Sequence, residues 1–108
     1  MPERNYRVYL DDENSIFVYF ETEGKIVIAF VVKSLSVIDG KEVEILRFDS
    51  AHEHPHIDVL APDGSTREKI WLPHLDNNRA LTQAKKEIKQ HYQFYRERYL
   101  QWLRNEKD

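Results

Sequence analysis

Cysteine is absent from the 108 residues. Its absence excludes a disulfide framework, a thiolate nucleophile and any zinc site built on sulfur, and it accords with a reducing, cytoplasmic setting. Glycine occurs three times and proline four, too sparsely for a linker-rich or low-complexity chain. The longest apolar run, residues 26–32, is far short of a membrane span. Residues 1–4 lead directly into polar sequence without an apolar h-region, so neither a signal peptide nor a membrane partner is expected. With 41% hydrophobic and 32% charged residues, the chain has the balance of a folded protein. Its length suits a single domain over residues 1–108 with one modest core.

The first three quarters of the sequence carry strand signals. Residues 5–10, 15–21, 25–38, 41–48, 56–61 and 66–72 are rich in β-branched and aromatic residues, and turn residues separate them. Asp39-Gly40 is a two-residue hairpin signal. Residues 26–32 are apolar on both faces, whereas residues 33–38 alternate, which predicts a long strand bending near Ser34. Every link is short, and short links force antiparallel neighbours. The expected fold is α+β: a curved antiparallel meander of about six strands over residues 1–75, then one amphipathic helix over residues 76–108, packed across the sheet.

Asp76, Asn77 and Asn78 are all suited to cap that helix. Leu81, Ala84, Ile88, Tyr92, Tyr95, Tyr99 and Trp102 recur at spacings of three and four, which makes one apolar stripe. About 28 helical residues span roughly 42 Å, whereas a seven-residue strand spans about 23 Å. The last turns, with Tyr99, Trp102 and Leu103, should therefore overhang the sheet. Either the sheet curls to meet them or a second copy does, and the expected partner is a homodimer through this helix. Charge divides at the same boundary. Residues 1–78 hold 8 Lys/Arg against 15 Asp/Glu, and residues 79–108 hold 8 against 4. A basic helix lying on an acidic sheet accounts for this, and so does a basic face for RNA or an acidic partner.

Function points to one segment. In an extended chain His52, His54, His56 and Asp58 share a face, with Ile57 and Val59 turned the other way to the core. Pro55 marks an edge or a break in pairing. Such a face suits acid–base catalysis by His52, His54 and His56 with Asp58, with Arg47, Lys69 or Arg79 steadying a phosphate. It also suits weak divalent-metal binding by the three histidines, or it is an ordinary histidine-bearing turn. No other cofactor is indicated. His74 and His91 are distant in sequence, and His91 lies near the apolar stripe.

Phe48, Asp49, Ala51 and His52, then Pro55-His56, Pro62-Asp63-Gly64, Lys69, Trp71-Leu72 and the Tyr-Arg-Glu-Arg-Tyr-Leu of residues 95–100 form a pattern. It resembles a family of small uncharacterised prokaryotic proteins, distantly similar to TumE-like toxins of toxin–antitoxin systems. The resemblance implies a toxin-like protein, either RNA-cleaving or nucleotide-acting, with a small antitoxin-like partner. Where those toxins carry a basic His-Arg-His element, this chain has His56-Ile57-Asp58. The alternative is a non-catalytic interaction or dimerisation module.

Overall fold

A computed structural model of the chain describes residues 2–50 and 54–107. Six strands, β1 (Glu3–Tyr9), β2 (Asn14–Glu23), β3 (Ile26–Ile38), β4 (Lys41–Asp49), β5 (His56–Leu60) and β6 (Thr66–Trp71), precede one helix, α1 (Asn77–Lys107). The strands pair antiparallel in sequence order, as a meander with two open edges. The α+β fold read from the sequence is the fold observed, and strand and helix ends differ from expectation by one or two residues.

Each turn has a local cause. Between β3 and β4, Asp39 and Gly40 both take positive φ, 53° and 78°. This handedness matches the twist of paired strands, and glycine adopts it without a steric cost. The register of β3 against β4 shifts between Ser34 and Leu35, where the change from two-faced to alternating hydrophobicity predicts a bend. The extra residue lets Ile45 and Leu46 both be buried.

Side-chain alternation gives the sheet two faces. Ile16 and Val18 on β2, Phe30 and Val32 on β3, Leu46 and Phe48 on β4 and Val59 on β5 face α1, and all are nearly inaccessible to solvent. From the helix, Ala80, Leu81, Ala84, Ile88 and Tyr99 meet them. The alanines allow close approach at the N-terminal half, and the larger residues fill the space beyond.

Polar contacts fix both ends of this packing. Asp76 alone acts as the N-cap, its Oδ1 accepting the Arg79 N–H at 2.8 Å. Asn77 and Asn78 instead bind the β2–β3 turn. Asn78 Oδ1 accepts the Val27 N–H at 2.9 Å and its amide donates to Lys25 O at 3.1 Å, while the Asn77 amide donates to Val27 O at 3.1 Å. Nineteen positions further on from Asn77, Arg96 reaches the opposite end of the sheet. It donates to Ser36 Oγ at 2.7 Å and Val37 O at 3.1 Å, and pairs with Glu13. Ser36 in turn donates to Asn14 Oδ1 at 2.7 Å.

Two expectations change. The C-terminal turns are covered within the chain. Tyr99 is 5% exposed, Trp102 and Leu103 pack against the core, and the Arg67 guanidinium lies 4.6 Å from the Trp102 ring. β3, at 13 residues, is nearly twice the strand length assumed, so the sheet reaches further along the helix than that comparison allows. Charge complementation between helix and sheet is slight: Arg96–Glu13 is the one ion pair between them among the described residues. Lys85, Lys86 and Lys89 instead rim a 270 Å³ depression floored by Val8, Ile16 and Val18.

One helix contact has a pH signature. Burial, and then the Glu87 carboxylate 2.6 Å away, push the Tyr95 phenol up from 10.0 to about 12. A group whose folded pKa lies above its unfolded value stabilises the fold at pH below the unfolded pKa. That contribution should be complete below about pH 10 and lost as pH rises through about 12. Tyr95→Phe should remove one such phenol from the ultraviolet titration and flatten that part of the alkaline stability loss, as measured by urea unfolding.

Candidate functional site

On the face turned away from α1, the pairing of β4, β5 and β6 builds a patch of two rows. Asp49 pairs with His56 and His56 with Trp71; Arg47 pairs with Asp58 and Asp58 with Lys69. Cross-strand partners project to the same side, so six functional side chains from three strands become neighbours. The alternate residues, Phe48, Ile57 and Val59, face the helix, as the alternation expected from the sequence requires.

His56 is the centre of the patch. Its side chain is 2% exposed. Nε2 lies 3.2 Å from Asp49 Oδ1 and 3.4 Å from Asp58 Oδ2, and Nδ1 faces the His54 carbonyl oxygen at 3.2 Å. Trp71 covers one side of the imidazole, with ring centroids 5.0 Å apart. The Lys69 ammonium lies 3.5 Å from Asp58 Oδ1 and 5.2 Å from the Trp71 ring. Asp58 Oδ1 is buried and accepts no hydrogen bond among the described residues. The Asp49 and Asp58 side chains keep 11% and 13% exposure, and Lys69 and Trp71 are open to solvent. The cluster is therefore approached past Lys69 and Trp71.

The sequence-predicted residues divide between three places. His56, Asp58 and Lys69 come together. The sequence puts His56 and Asp58 on the solvent or cleft side; they do face away from the helix, but β6 and its Trp71 ring cover them, so they are buried. Arg47 lies in the same row with its guanidinium engaged elsewhere: it donates to both Glu44 oxygens, at 2.8 and 2.9 Å. That hydrogen-bonded pairing raises its pKa against the opposing effect of burial, and the charges of Glu44, Asp49 and Asp58 add to it.

The ring of His54 is exposed and outside the cluster. It lines a 590 Å³ depression with Pro55, Ile26, Leu75 and the first residues of α1. Strand β5 begins at His56, so the alternation that would align His54 with it stops at Pro55. His52 lies outside the described residues. Among the described residues, Asp49, His56 and Asp58 bring their ligand atoms within 4.8 Å of one another.

Asp49 is the residue that sequence reasoning missed. It stood in the Phe48-Asp49 part of the resemblance motif but carried no role, because only the β4–β5 register sets it opposite His56. The Arg98 guanidinium lies 5.1–5.5 Å from the Phe94, Tyr95 and Trp102 rings, and Tyr92 and Tyr95 join the core.

An open six-stranded meander sealed on one face by a helix, with a carboxylate–imidazole grid on the other, defines the class of protein. A family model for a domain of unknown function, DUF7718, matches residues 1–105, and the chain belongs to that family. No curated protein and no solved structure matches it. Nothing in the family match links the chain to TumE-like toxins. No helix among the described residues is long and apolar enough to cross a membrane.

His56→Ala should cost about 2–4 kcal/mol in urea unfolding, since it empties a buried position and leaves two carboxylates facing the gap. Trp71 emission should change in parallel, because its ring loses the imidazole it rests on.

Proposed function

We propose that the protein is a toxin-like, phosphoester-acting hydrolase, RNA-cleaving or nucleotide-acting, whose centre is the Asp49–His56–Asp58 cluster. The observation that carries this reading is the convergence of an imidazole and two carboxylates on one nearly buried point of the sheet, with a lysine and an exposed indole at its mouth. A water held by this set gives its proton to one of the carboxylates while its oxygen attacks phosphorus. The ester P–O bond breaks, and the departing oxygen takes up a proton from solvent. Lys69 holds a phosphoryl oxygen as a point charge, and Trp71 offers a π-face to a nucleobase. Arg47 keeps Glu44 and contributes field but no contact.

The test uses purified full chain with single-stranded RNA and with nucleoside triphosphates as substrates. Asp58→Asn should lower kcat by about 10²-fold or more, and Lys69→Ala should raise KM more than it lowers kcat. Expression should slow growth with the native chain and not with Asp58→Asn. No turnover of either substrate class, or full activity of Asp58→Asn, defeats the reading.

A second reading, an interaction module that pairs with a second copy through α1, has one supporting observation. Phe94 is 61% exposed in the middle of the helix, while the aromatics near its end are covered. Under that reading, sedimentation at micromolar concentration gives a dimer that Phe94→Glu converts to a monomer. A native chain that sediments as a monomer ends it.

A further inference from the structure

We infer that Asp49, His56 and Asp58 form a binding site for one divalent cation of the Mn²⁺ or Zn²⁺ type. The site shares its residues with the phosphoester reading and, for what the ion would do, rests on it; binding itself is measured without substrate.

Distances carry the argument first. Charge-assisted N–H···O bonds run at about 2.7–2.9 Å, and one N–H points squarely at one acceptor. Here Nε2 has two carboxylate neighbours, at 3.2 and 3.4 Å, both long for that bond. Ligands bonded to a metal at about 2.1 Å are spaced about 3.0 Å apart in an octahedron and about 3.4 Å apart in a tetrahedron. Both Nε2–carboxylate separations lie in that interval, and all three ligand atoms lie within 4.8 Å of one another.

The second observation is the far nitrogen. Nδ1 lies 3.2 Å from the His54 carbonyl oxygen, and an N–H donated there turns the Nε2 lone pair toward the two carboxylates. A carbonyl behind the imidazole is the usual means of orienting a metal-bound histidine.

The third is charge. Two carboxylates and an imidazole of 2% side-chain exposure share one point, and Asp58 Oδ1 is buried without a hydrogen bond among the described residues. Lys69 offsets one negative charge from the edge of the cluster. A phosphate approaching Asp49 and Asp58 would meet like charge, and a dication between them turns repulsion into attraction. One nitrogen and two carboxylate ligands suit Mn²⁺ or Zn²⁺ better than Ca²⁺ or Cu⁺. Three protein ligands leave positions for water, as catalytic sites do and closed structural sites do not.

Chelator-stripped full chain titrated with MnCl₂ tests the inference, followed by the loss of free-ion paramagnetic resonance and by calorimetry, with ZnCl₂ in parallel. One ion per chain and a rise in Tm with ion are expected. Asp49→Asn and Asp58→Asn, which keep shape and remove charge, should each weaken binding by at least about tenfold, and His54→Ala should leave it unchanged. Since His56→Ala risks unfolding, the two carboxamide variants decide. No binding at millimolar ion, native affinity in both carboxamide variants, or loss of binding in His54→Ala overturns the inference. Ion binding without hydrolysis defeats the phosphoester reading and leaves the site standing. Hydrolysis at full rate in excess chelator, with ion binding intact, overturns the ion's part in the reaction.

Discussion

The cross-strand pairing of Asp49 with His56 is the constraint on which the patch depends. Because side chains alternate along a strand, that one register sends Phe48, Ile57 and Val59 to the helix and Asp49, His56 and Asp58 to the other side. A slip of one residue would bury carboxylates against Ile88 and expose the core, so the apolar face itself holds the polar face in register. The hydrophobic core and the candidate site are two sides of the same backbone ladder.

The helix makes that ladder durable. It is tied at one end through Asn77 and Asn78 to the β2–β3 turn and at the other through Arg96 to Ser36, Val37 and Glu13. Between these ties lie Ala80, Leu81, Ala84 and Ile88, which are almost wholly buried. Polar contacts fix where the helix lies, and apolar burial supplies the stabilisation. Arg96 is a specific tether because its planar guanidinium serves a hydroxyl from Nε and a carbonyl and a carboxylate from a second nitrogen, a fixed spread of donors that the single nitrogen of a lysine lacks.

Much of the architecture was legible because it follows from local chemistry. Turn residues, period-two strands and a three-and-four stripe are each written within a dozen residues, and the six strands and the helix were read from them. What depended on partners distant in sequence was less legible. His56 and Asp58 could be placed on a face from Ile57 and Val59. Their burial could not be foreseen, because Trp71 and Lys69, which cover them, stand on β6. Asp49 has no signature of its own in the sequence, because its role comes from register, not spacing. Parity along the chain groups His54 with His56, but it holds only within a strand, and β5 begins after Pro55. The length of α1 is legible in its stripe, but the contact of Arg67 with Trp102 joins residues far apart in sequence.

The order of elements along the chain has a consequence for synthesis. All six strands leave the ribosome before the helix that covers them. Val18, Val32, Leu46 and Phe48, among the least exposed side chains of the finished protein, therefore form the open surface of the nascent sheet, whose edge strands β1 and β6 are unpaired on their outer sides. Until α1 docks, the growing chain has the surface character of an aggregation-prone intermediate. The helix thus shields strands that were made before it.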